Sequence, residues 1–137
     1  MATNPRICVY LVPVFEGRLV VFDVSAREAR GRWLPWDILP DRGNPYEVAA
    51  TLGDNWCASA ISALTLADIL SLTLPHPWEL AIIFRAELTA LPLPDPVRTP
   101  FLYPTATFDA IGAFDPVDLE RWVAAPRPEG RSSNLLF

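Results

Sequence analysis

The sequence predicts an α+β domain. Three observations carry this: two β-branched runs joined by a glycine turn, a well-capped amphipathic helix near residue 45, and a doubly apolar strand that precedes a second helix. The 137 residues suit one domain. It is expected over residues 1–125, with a flexible Pro/Gly/Ser/Arg-rich tail over 126–137 ending in Leu135-Leu136-Phe137. Hydrophobic residues make up 51% and charged residues 20% of the chain, far from the composition of disorder.

Residues 6–15 (RICVYLVPVF) and 18–24 (RLVVFDV) flank Glu16-Gly17 and read as a hairpin. A polar stretch to Arg32 leads into an extended Trp33-Leu34-Pro35 and a Pro/Asp/Gly-rich loop reaching Gly43. Asn44 is a good N-cap, Pro45 suits the first helical position, and Glu47 stands where a capping box needs it. Val48, Leu52 and Trp56 then form an apolar stripe, weakened at Gly53. Residues 60–74 are dense in apolar side chains and are assigned to strand rather than helix. After Pro75-His76-Pro77, Glu79 to Leu88 reads as a central strand. Five prolines between Pro92 and Pro104 predict a stiff surface connection, followed by a strand over Ala106–Phe114. Asp115-Pro116 opens a helix whose Leu119, Trp122 and Val123 share a face.

Charge and composition exclude several functions. At net charge −5 the chain lacks the basic surface that nucleic acid requires. No apolar run approaches the length of a membrane span, and Met1 to Arg6 lacks the order of a signal peptide, so a cytoplasmic protein is expected. Two cysteines, Cys8 and Cys57, make neither a disulfide framework nor a zinc site and are expected to be buried thiols. His76 is the only histidine and no nucleophile elbow accompanies it. Arg27, Arg30 and Arg32 form the one basic neighbourhood, and guanidinium groups match phosphate oxygens.

Arg32-Trp33-Leu34-Pro35, Gly43 to Ala50 (GNPYEVAA) and Ile111 to Leu119 (IGAFDPVDL) resemble, in order and spacing, the lead-in, box helix and closing segment of the Nudix superfamily. The resemblance covers nearly the whole chain. It implies a mixed β-sheet sandwiched between helices (α/β/α), a ligand cleft beside the box helix, and a homodimer. The family's activity implies clustered glutamates that hold a divalent cation for pyrophosphate hydrolysis. Here that cluster is broken. Aligned with Asn44 at the first glutamate of the family's box, the Arg-Glu pair falls on Leu52-Gly53 and the Glu-Glu pair on Trp56-Cys57, while Trp36-Asp37 stand where a glycine pair is usual.

Mg²⁺ requires several carboxylate oxygens in a near-octahedral shell. Glu47 and Asp54 lie roughly 10 Å apart along the helix, at 1.5 Å rise per residue, too far to share an ion unaided. The expectation is therefore a non-catalytic domain that takes a small nucleotide-like ligand or a protein partner, with no cofactor. On the resemblance, Trp33, Trp36, Tyr46, Phe101 and Tyr103 border the cleft, where flat rings stack on nucleobases. Trp36, Asp37, Arg32, Tyr46 and Tyr103 are the candidate ligand-binding residues, and Asp54 and Glu47 the candidate catalytic ones. Two alternatives stand beside this. One is a Mg²⁺- or Mn²⁺-dependent hydrolase using the displaced acids Asp37, Asp41, Glu47 and Asp54; the other is a structural or oligomer-forming domain whose cleft Trp36 fills.

Overall fold

The computed structural model describes residues 6–25, 31–58, 61–72, 78–103, 111 and 114–124. The expected hairpin is present as β1 (Arg6–Phe15) and β2 (Arg18–Val24). Its turn places Glu16 at φ 52° and Gly17 at φ 77°, the left-handed pair that suits the strands' twist. Gly17 adopts it without a Cβ to strain.

Beyond Val14↔Leu19 and Phe15↔Arg18 the two strands part. β2 is then flanked by β3 (Gly31–Trp33) and β7 (Arg98–Leu102), both antiparallel to it. β1 takes β4 (Trp36–Ile38) on the vacated side, and β6 (Glu79–Leu88) runs parallel along its other side. β5 (Ile61–Leu72) completes the order β3-β2-β1-β6-β5.

Strand pleating sends alternate residues to opposite faces. Val9 and Leu11 of β1 pack with Ala49, Leu52 and Cys57 of α1 (Pro45–Cys57). Cys8, Tyr10, Val12 and Val14 pack with Leu119, Trp122 and Val123 of α2 (Pro116–Ala124). One helix therefore covers each face, giving the α/β/α sandwich.

Both helices are closed at both ends. The Asn44 carboxamide accepts from the Tyr46 amide at 2.8 Å, and Ala58, left-handed at φ 56°, donates its amide to the Gly53 carbonyl. Arg98 of β7 donates to the Asn55 carbonyl at 3.1 Å while its guanidinium lies 4.0 Å from the Trp56 ring centre. In α2 the Asp115 carboxylate accepts from the Val117 amide at 2.8 Å. Arg85 of β6 holds the carbonyls at its other end, and Asp68 of β5 accepts from the Trp122 indole at 3.0 Å and pairs with Arg121 at 2.9 Å.

Several expectations need correction. The loop over residues 36–43 contains β4, and the proline-rich connection contains β7. Pro100 fits there because, among the described residues, β7 is an edge strand paired only with β2, so its missing N–H breaks no ladder on the open side. Residues 61–72 form a single strand with bulges between Ile61 and Ala63 and between Leu66 and Asp68, which hides the two-residue alternation. The buried line of α1 is Ala49, Leu52, Gly53 and Cys57, with Val48 and Trp56 half-buried at its margins; Cys57 is the helix's last residue. The helix runs unbroken through Gly53, where a Cβ would collide with Ile61 Cδ1. Glu47 makes no bond back to the Asn44 amide among the described residues.

Of the strand expected over 106–114 only Ile111 and Phe114 are described, bonded to each other by main-chain contacts of 3.2 and 3.0 Å. Arg27, Arg30, Pro75-His76-Pro77 and the tail from residue 125 lie outside the described residues. No helix among those described is long and apolar enough to cross a membrane.

Candidate functional site

The short strand β4 determines which side chains can meet. Tyr10↔Trp36 and Val9↔Asp37 are facing pairs, so Trp36 and Asp37, adjacent in sequence, point to opposite faces of the sheet. Asp37 turns toward α1. The chain then passes Pro40 and a tight turn, where the Gly43 amide donates to the Pro40 carbonyl at 2.8 Å. A Cβ at position 43 would sit 2.8 Å from Pro40 Cγ, so this close return needs glycine. Asn44 follows and starts the helix.

An open groove of about 420 Å³ results, lined by Asp37, Ile38, Pro40, Gly43, Asn44, Glu47, Val48 and Thr51. Its helical wall is Asn44, Glu47, Val48 and Thr51, residues three or four apart on the exposed side of the first two turns. The groove offers an amide, a hydroxyl and two carboxylates above an apolar floor. Asp37 Oδ1 already accepts from the Ile38 amide at 2.8 Å. The sequence marks Asn44 as a cap and Val48 as part of the apolar stripe, not as groove wall, and does not single out Thr51, although the i, i+4, i+7 spacing from the cap is their signal.

The other candidates are distributed elsewhere. Trp36 is half-buried on the α2 face, stacked on Tyr10 with ring centres 6.3 Å apart and with Arg6 5.5 Å from its own ring centre. Tyr103 is buried on the same face, and Arg32 lies 5.4 Å from the ring centre of Phe101 and 5.8 Å from that of Tyr103. Trp33 packs on the α1 face. Tyr46 is exposed and leans edge-on against Phe84 at 4.7 Å. Asp54 lines a separate depression of about 340 Å³ between α1 and β5 with Ala50 and residues 61–64, and Asp41 is exposed on the turn before Gly43. The groove thus unites Asp37 and Glu47 and leaves Trp36, Arg32, Tyr103, Asp41 and Asp54 outside it.

A divalent cation does not fit these donors. Among the described residues no three His, Cys, Asp or Glu side chains converge, and the groove supplies two carboxylates of which one is engaged by a main-chain amide. The thiolate form of both cysteines is disfavoured. Burial, with the Glu79 charge nearby, pushes Cys8 up to about 11, and burial alone pushes Cys57 up to about 12.

One buried polar cluster lies on the α2 face. Glu79, 7% exposed, accepts from the Tyr10 hydroxyl at 2.6 Å and from Arg6 at 3.0 Å. Burial and then this hydrogen bond push the Tyr10 phenol far above its usual range, so it stays a donor. The cluster is fully paired and ties β1 to β6.

Sequence comparison finds no match to a family model or to a curated protein. Structural comparison finds many. The chain is similar to the MutT protein of Methanosarcina mazei Go1 (TM-score 0.71, 16% identity, 89% of this chain and 96% of that one) and to the MutT NUDIX hydrolase of Burkholderia pseudomallei (TM-score 0.69, 16% identity, 87% and 98%). It is also similar to the NUDIX domain of Shewanella oneidensis NrtR, solved with ADP ribose (TM-score 0.66, 12% identity, 88% and 87%). Similarity of this extent across most of the chain shows that it has the Nudix fold.

Proposed function

We propose that this Nudix-fold chain binds a small nucleotide-like ligand, or a partner that presents one, in the groove beside α1 without hydrolysing it through a bound dication. The observation that carries this is the groove itself: open, about 420 Å³, supplied with hydrogen-bonding groups at Asn44, Thr51 and Glu47, yet without a carboxylate cage among the described residues. Trp36 lies on the opposite face, which weighs against a cleft plugged by its indole. The likeness to a NUDIX domain solved with ADP ribose supports the ligand class. Asp37 and Glu47 repel phosphate at short range, so the groove suits the sugar or base rather than the diphosphate.

Thermal denaturation with ADP-ribose as the probe, with and without Mg²⁺, tests the proposal. Ligand at 100- to 1,000-fold excess over Kd is expected to stabilise the chain by about 3–4 kcal/mol whether or not metal is present. Metal-dependent release of phosphate or mononucleotide would instead establish a hydrolase working through displaced acids. Absence of any shift across nucleoside diphosphate-linked compounds would remove the ligand class.

A further inference from the structure

The walls of the groove carry no cation. Asp37 and Glu47 line it, no dication cage exists among the described residues, and a ligand bearing a diphosphate needs positive charge where its phosphates come to rest. The chain has no lysine, so an arginine has to supply it. Most described arginines are committed. Arg6, Arg85 and Arg121 pair with carboxylates, Arg98 is bonded to the Asn55 carbonyl over Trp56, and Arg32 lies against Phe101 and Tyr103 on the far face of the sheet. Arg18 and Arg42 are exposed, and their guanidinium groups have no partner among the described residues. Arg18 stands at the hairpin turn opposite Phe15, whereas β4 meets β1 at Cys8 to Tyr10. Arg42 belongs to the turn whose two ends, Pro40 and Gly43, both line the groove.

Its backbone is strained for its residue type. The Gly43 amide returns to the Pro40 carbonyl, so Asp41 and Arg42 form the middle of a four-residue turn in which Arg42 holds φ 63°. A left-handed third position favours glycine or asparagine. Glu16 and Ala58 share the conformation, but a hairpin turn and a helix C-cap account for them. Nothing within the turn calls for arginine. A long cation held against local preference at the rim of a pocket is the pattern of a residue kept for what it binds.

We propose that Arg42 is the phosphate-reading residue of the groove: its guanidinium takes the diphosphate of a nucleotide-like ligand at the mouth, while the sugar or base lies between β4 and α1. The inference rests on the groove reading above and adds to it the place and partner of the ligand's charged part. The planar fork matches two phosphate oxygens at once, and it neutralises charge that a dication would neutralise in a carboxylate cage.

Calorimetric titration of the full chain with ADP-ribose and with adenosine, in the absence of metal, tests this. Arg42→Gly suits the left-handed turn, so the melting temperature is expected to hold or rise. Affinity for ADP-ribose is expected to fall at least tenfold in that variant, while affinity for adenosine stays within twofold of the parent. Arg42→Lys is expected to recover most of the loss, and added salt to weaken ADP-ribose more in the parent than in the glycine variant. Should glycine loosen the turn in far-ultraviolet circular dichroism, Arg42→Asn, which also accepts a left-handed backbone, takes its place. Equal loss of both compounds in a folded variant would assign Arg42 to shaping the turn, and undiminished ADP-ribose affinity would put the diphosphate elsewhere. Either result overturns the assignment and leaves the groove reading standing. A parent chain that binds neither compound removes the groove reading and this assignment with it.

Discussion

Arg85 Nε donates to the carbonyl oxygen of Trp122 at 3.0 Å, and Arg85 Nη2 reaches that of Val123 at 3.2 Å. A strand residue only 8% exposed therefore terminates the helix that covers its own face of the sheet, with Glu87 paired to the same guanidinium. Arg98 does the equivalent for α1 through Asn55. The carbonyl end of each helix dipole is thus met by a cation from another element, which sets where the helix stops and how it lies on the sheet.

Replacing Arg85 with Met keeps much of the apolar stem but leaves two buried carbonyls without donors. A loss of about 2–3 kcal/mol in urea denaturation is expected, together with faster amide exchange across α2. A variant within about 0.5 kcal/mol of the parent would show that packing of Leu119 and Trp122 alone holds the helix.

Asp68 gives the acid limb of stability. Its partial burial raises the carboxyl, but hydrogen bonds from Trp122, Arg121 and the Ile69 amide outweigh this and hold it below the usual range. A depressed folded value means the stabilisation is complete above about pH 4 and is lost as pH falls through the folded value. Asp68→Asn is expected to cost about 0.5–1 kcal/mol at pH 7, with the gap to the parent closing as pH falls through the folded value in pH-dependent denaturation.

Both thiols are fully buried, and their thiolates are disfavoured by burial. At pH 8 the folded chain is expected to react with a thiol reagent only on the timescale of unfolding, and both sites rapidly in denaturant. Because the folded values lie above the unfolded ones, this contribution is complete below about pH 8 and fades as pH rises toward those values. Fast labelling of Cys57 in native buffer would mean that the end of α1 opens.

Thr51 lies on the exposed wall of the groove. Thr51→Trp is expected to fill that space, change stability by less than about 0.5 kcal/mol, and abolish the thermal shift given by ADP-ribose. Undiminished shift in the variant would place the ligand elsewhere, with Arg32 and Phe101 on the opposite face as the next location to examine.

Elements with a strong local signal were legible in the sequence. The Glu16-Gly17 turn, the Asn44-Pro45 cap and the Asp115-Pro116 start each state their own geometry, and the apolar run over 79–88 marks a central strand. β4 and β7 were not legible, because a three-residue strand has no measurable period and Pro100 suppresses strand propensity at an edge where it does no harm. That omission reached the site. Without β4, Trp36 and Asp37 look like neighbours in one loop; with it, pleating sends the indole to one core and the carboxylate to the groove. Glu47 and Asp37 were within reach of sequence reasoning, whereas Asn44 and Thr51 became visible only once the turn at Gly43 had placed the helix against β4.

The parallel alignment of β1 with β6 has a kinetic consequence. Arg6 meets Glu79 and Val14 meets Glu87, so every rung joins positions more than seventy residues apart. A nascent chain that has emitted its hairpin and first helix still lacks the strand against which both must set. Completion of the core is therefore a late, long-range closure on a timescale of about milliseconds to seconds, and until then the most apolar segment of the polypeptide stands open to chaperones or to misassembly.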